Sequence, residues 1–281
     1  MMVVLSFLIM FAKAEFTPKL IIQRGHNSIN THAFSPDEKL MAIGAKDAQV
    51  VVYETRTGNE VFRRNIGKRS SGCKSISRYS IIKKTIFLND TTLITDLEDA
   101  QHPMIENWDL LADKIIWQKT GNIAAFDIKS QIGIVHQKNR NWDKQDAALI
   151  NLENGKEIYP LTNSSQMHKF WIDTKNQRII GIEKIESQLK EEGFAFRIWD
   201  IQTGKQIDVQ TYKYGWTNAI FHPKKKDILL TTPNDQVFLY HKNKVTSTPK
   251  PHPNLVPITY NTKGQEVIWS NPTMEENNLT L

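Results

Sequence analysis

Residues 25–61 read GHNSINTHAFSPDEKLMAIGAKDAQVVVYETRTGNEV, and their pattern decides the fold. Three short β-type runs (30–34, 40–44 and 49–53) are separated by turn residues. A fourth run, 60–64, follows a Thr57-Gly58 turn in which Gly58 supplies a position for positive φ. Ser35-Pro36-Asp37-Glu38 has the composition of a tight turn between strands. Four antiparallel strands within about forty residues make one small sheet.

The same unit returns along the chain. First strands end at Phe34, Phe87, Phe126, Ile172, Phe221 and Tyr260; third strands end at Tyr53, Trp108, Ile150, Trp199 and Tyr240. The spacing is about forty residues, longer where polar insertions interrupt it, and four strands per unit at that period is a propeller pattern. A small sheet that is apolar on both faces must stack on a neighbour at each side, so the ring has to close. The reading is all-β: one propeller spanning 17–281, with six four-stranded blades, or seven if an insertion hides further strands. The last unit has strands at 256–260, 266–269 and 278–281 and lacks a fourth. The run 19–23 (KLIIQ) has no hairpin partner of its own and fits as that fourth strand.

Gly25-His26, Ser35-Pro36-Asp37, Asp47, Tyr53-Glu54 and Thr57-Gly58 together resemble a WD repeat, with Tyr-Glu standing where that family has Trp-Asp. Trp108-Asp109 matches the family's dipeptide directly. Trp199-Asp200 followed by Thr203-Gly204 is the fullest match in the chain. The resemblance covers nearly all of the chain after residue 16. It implies ring closure by the N-terminal strand, a structural hydrogen bond between His26 and Asp47, and a face of loops that holds proteins or peptides.

The 281 residues carry a net charge of +6, with 40% hydrophobic and 23% charged residues, the balance of a globular chain. The basic residues are scattered apart from Lys224-Lys225-Lys226 and Arg63-Arg64. We read both clusters as solvated turn or edge residues, and no nucleic-acid partner is expected. Residues 1–14 have an apolar core at 3–11 and a small-x-small site at Ala12-Lys13-Ala14, the form of a signal peptide, although no Lys or Arg precedes the core. That core is too short to span a bilayer. Export to the periplasm or the medium is the expectation, with a cytoplasmic protein as the alternative. Cys73 is the only cysteine, so no internal disulfide forms.

The residues offer little chemistry. None of the eight histidines forms an HxH or HExxH pair, and the acidic runs lack calcium-loop spacing, so no metal or other cofactor is expected. No nucleophile elbow, phosphate loop or dinucleotide fingerprint is present. Trp108, Trp199 and Trp269 are expected between blades. Trp171 and Trp216 lie near first strands, where each is either core or an exposed binding aromatic. The expected function is a non-catalytic interaction scaffold whose surface is formed by the insertions 67–77, 98–103, 137–145 and 183–193. The alternatives are a lactonase-like or quinoprotein-like propeller enzyme and a TolB-like periplasmic assembly propeller. The sequence sets no oligomeric state.

Overall fold

The structure, a computed structural model, describes residues 28–66, 80–99, 103–136, 147–183, 193–213, 215–234, 236–248, 256–260 and 266–270. The first blade is β1 (Ile29–Phe34), β2 (Leu40–Ala45), β3 (Gln49–Glu54) and β4 (Glu60–Asn65), paired in that order. The second is β5 (Ile81–Phe87), β6 (Thr92–Glu98), β7 (Met104–Asp109) and β8 (Lys114–Thr120). The third is β9 (Asn122–Asp127), β10 (Ile132–His136), β11 (Ala148–Asn151) and β12 (Glu157–Pro160). The fourth is β13 (Met167–Asp173), β14 (Arg178–Glu183), β15 (Phe194–Asp200) and β16 (Gln206–Tyr212). The fifth is β17 (Asn218–Phe221), β18 (Ile228–Thr231), β19 (Val237–His241) and β20 (Lys244–Thr248). A sixth sheet pairs β21 (Val256–Tyr260) with β22 (Val267–Ser270).

This is a β-propeller of several blades. All the pairings among the described strands are antiparallel, and first strands meet at three junctions, β1 against β5, β9 against β13 and β17 against β21, while β9 lies against β6 of the second blade. The two outer strands of the sixth sheet were expected at 278–281 and 19–23, which lie outside the described residues, as do the leader and Cys73.

Among the described residues the hydrophobic core is not one mass but a series of layers, one between each two consecutive blades from the first to the sixth. Val50, Val52 and Phe62 of the first blade meet Ile82, Leu93 and Trp108 of the second. Ile94 and Ile105 meet Ile123, Val135 and Ile150 of the third. Ile134 and Leu149 meet Phe170, Ile179 and Trp199 of the fourth. Ile180, Ile182 and Phe196 meet Trp216, Ile228 and Tyr240 of the fifth. Ile220, Leu229 and Val237 face Val267 of the sixth.

These layers explain why the middle strands are apolar without alternation. Side chains of a strand point to opposite faces in turn, and here both faces are covered. In β3, Val50 and Val52 join the layer with the second blade, while Val51 and Tyr53 pack with Ile43 on the other side. Outer strands alternate instead, because only one of their faces is covered: in β8, Ile115 and Trp117 are half-buried while Ile116 is exposed. Close approach within a blade requires small residues. A Cβ on Gly181 would fall 2.8 Å from the Trp199 ring. Among the described residues no helix is long and apolar enough to cross a membrane.

Candidate functional site

Strand order gives the propeller two unlike faces. First-to-second and third-to-fourth strand turns lie at one face. Second-to-third turns and the links between blades lie at the other. The four polar insertions all leave from this second face. Their attachment points are Ile66 and Ser80, Asp99 and Pro103, His136 and Ala147, and Glu183 and Gly193, each at a strand end on that side. The intervening residues 67–79, 100–102, 137–146 and 184–192 lie outside the described ones.

The opposite face is built from short, tightly bonded turns. In the first blade Ser35 Oγ accepts from Leu40 N at 2.9 Å and donates to Asp37 Oδ1 at 2.7 Å. The Ser35 hydroxyl, the Lys39 amide and the Lys39 ammonium hold the Asp37 carboxyl down at about 2. In the fifth blade His222 takes the serine's place. Its Nδ1 accepts from Lys224 N and Lys225 N, both at 3.0 Å, and the ring is buried rather than the surface residue expected of a turn histidine.

The acid after the strand-ending aromatic has a clear task. Asp200 accepts from Gln202 N at 3.0 Å, Thr203 N at 2.9 Å and Thr203 Oγ1 at 2.9 Å. Asp109 does the same for Leu111 N and Ala112 N, and Asn151 for Glu153 N and Asn154 N. Glu54 accepts from Thr57 Oγ1. The side chain closes a turn of its own backbone, the usual behaviour of Asp and Asn at such positions. The Asn154-Gly155 pair suggests a two-residue hairpin, but only Gly155 has positive φ (70°) and the turn is five residues long. The two-residue turn is in the fifth blade, where Lys242 and Asn243 have φ of 48° and 62°. That sequence carries no glycine and so gave no signal.

A cleft of about 520 Å3 opens on this face between the fourth and fifth blades. Its walls include Ile198 and Asp200 of β15, Ile207 of β16, Arg178 of β14, Lys225 to Asp227 and Tyr240 to Asn243. Arg178 is 5% exposed; its Nε donates to Asp173 Oδ2 at 2.8 Å and its Nη1 to Lys226 O at 2.7 Å. Its Nη2 is buried with no partner. Tyr240 donates to Asp208 Oδ2 at 2.5 Å, and burial with this bond pushes its phenol up. His241 Nδ1 lies 2.7 Å from Asp227 Oδ1.

The residues singled out by sequence are placed as follows. Gly25 and His26 lie outside the described residues. Asp47 accepts from Gln49 N at 3.3 Å in its own turn. Trp108 and Trp199 are buried between blades, and Trp199 Nε1 donates to Thr162 O at 2.7 Å; Tyr53 is buried with Ile43 and Val51 on the other side of the first blade. Asp109 and Asp200 close turns. Trp216 is 1% exposed, ringed by Tyr212, Phe196 and Phe238, and offers no surface to a partner. Trp171 is half-buried against the layer between the fourth and fifth blades. The cleft brings together Asp200 and residues that sequence reading left as solvated turn lysines. Among the described residues no group of three or more His, Cys, Asp and Glu side chains could hold a metal ion.

No protein-family profile matches the chain, and no curated protein matches it in sequence. Its fold is similar to solved propeller structures. A chain of the mitotic checkpoint complex aligns at a TM-score of 0.54 and 11% identity, over 86% of this chain and 71% of that one. Hydrazine synthase of Kuenenia stuttgartiensis aligns at 0.58 and 12%, over 90% and 76%. The computationally designed Ika8 protein aligns at 0.55 and 12%, over 83% and 65%. At these identities the likeness is one of fold.

Proposed function

We propose that this protein is a non-catalytic interaction propeller, exported from the cytoplasm, that holds a protein or peptide partner on the face bearing its insertions. The observation that supports this most is that all four polar insertions are attached at strand ends on one face. Loops set on a rigid scaffold are where binding residues concentrate. The propeller supplies that scaffold through its inter-blade layers. The apolar leader and small-x-small site at residues 1–14 support export, which N-terminal sequencing of the mature protein checks.

The test is to replace 67–77, 100–102, 137–145 and 184–192 by Gly-Ser sequence of equal length, which leaves the buried Asp99 and Glu183 at the strand ends in place. Flexible loops of unchanged length leave the closure entropy nearly constant, so the melting temperature should hold. Partner capture should fall at least tenfold, the scale of losing 1.4 kcal/mol of binding. Undiminished capture by this variant would falsify the assignment of the binding face.

A further inference from the structure

The cleft between the fourth and fifth blades has a specific structural origin. In the second, third and fourth blades the residue after the turn-closing acid or amide is apolar: Leu110, Leu152 and Ile201. Each sits in the layer shared with the preceding blade. Each is also tied by its backbone amide to the neighbouring turn, Leu110 N to Thr91 O at 2.9 Å, Leu152 N to Gln131 O at 2.8 Å and Ile201 N to Gln177 O at 3.0 Å. These side chains plug the blade junctions at this face. In the fifth blade the turn shrinks to Lys242-Asn243, and the plug position falls on Lys242, which is exposed. The junction is therefore left open. The depression between the third and fourth blades, about 420 Å3, is lined by Ile201 and carries no charged residue.

The opening is also unbalanced in charge. Its two acids are used within the fold: Asp200 by its own turn and Asp227 by His241. The ammonium groups of Lys225, Lys226 and Lys242 take part in no ion pair among the described residues. Arg178, buried at the wall, keeps an unpartnered Nη2 donor. Ile207, 59% exposed, leaves apolar surface at the rim. Lys225, Lys226 and Lys242 outnumber the lining carboxylates Asp200 and Asp227, and Arg178 is paired with Asp173, so a partly apolar cavity carries a modest positive excess that is complementary to a carboxylate-bearing chain.

We propose that this cleft receives an acidic segment of a protein partner, its carboxylates meeting Lys225, Lys226, Lys242 and Arg178 and an apolar side chain resting on Ile207. This rests on the interaction reading but uses the face opposite the insertions.

The probe is a fluorescent peptide of alternating Glu and Leu, measured by anisotropy against its Gln-for-Glu isostere and against inorganic phosphate as competitor. The acidic peptide should bind, weaken with added salt, and outcompete the isostere at least tenfold. Combined Lys225→Gln, Lys226→Gln and Lys242→Gln changes leave the core untouched and should weaken binding at least tenfold. Replacing residues 242–243 by the sequence of residues 201–205 should restore the plug and abolish binding. If that graft does not fold, the glutamine variant still decides. Equal binding of the isostere, unchanged affinity in the glutamine variant, or no peptide binding would each overturn the proposal. Binding of phosphate without peptide would overturn it in favour of a small-anion site. The insertion-replaced protein separates the two readings: it should keep the peptide while losing capture. Capture without peptide binding removes only the cleft.

Discussion

Single residues in this propeller carry either packing or turn closure. Trp199 is fully buried, fills the space left by Gly181, and spends its one donor on Thr162 O. Trp199→Ala should cost about 3–5 kcal/mol, read from chemical unfolding, because the layer between the third and fourth blades cannot collapse around so large a void. Asp37 acts through electrostatics instead. Its folded carboxyl sits at about 2, below the ordinary 3.8. The stability that it contributes is complete above 3.8 and is lost as pH falls from there through about 2. The gap in melting temperature between wild type and Asp37→Asn should therefore be widest near neutral pH and close across that window. A gap that widens on acidification would contradict the assignment. The aromatic-acid pair was legible as a repeated mark in the sequence. Its two jobs, burial for the aromatic and turn closure for the acid, were not, since they depend on which strand end reaches which neighbour.

At the level of elements, the third-to-fourth strand turn is the unit that varies. Where it has four or five residues, an acid or amide closes it and, in the second to fourth blades, an apolar residue plugs the junction. Where it has two, in the fifth blade, the junction opens. Asp200→Ala removes three hydrogen bonds at an exposed turn and should cost about 1 kcal/mol. The loss should appear as faster amide exchange confined to β15, β16 and their turn. The strands themselves were readable, because β-branched runs bounded by turn residues are a local signal. The cleft was not. It arises from a turn without glycine, from lysines that read as solvent-facing, and from a guanidinium on a neighbouring blade, none of them adjacent in sequence. Trp216 is a further case: its position beside a first strand left core and exposed binding aromatic both open, and three aromatic neighbours from two blades bury it.

For the whole molecule, the two faces and the cleft exist only if the sheets close into a ring. The outward side of the first blade supports closure. Ile43, Val51 and Tyr53 are buried there, although the described residues packed with them belong to the same blade. The sequence assigns 19–23 to the missing outer strand of the last blade. Leu20 and Ile22, which share one face of such a strand, would each contribute about 1.5–3 kcal/mol by burial, and for a chain of this size each kcal/mol moves the midpoint by roughly 2–4 °C. The melting temperature of the protein lacking residues 17–24, beside that of the full mature chain, is the most direct measurement. A closed ring predicts a fall of roughly 10 °C or more; an unchanged melting temperature would contradict it.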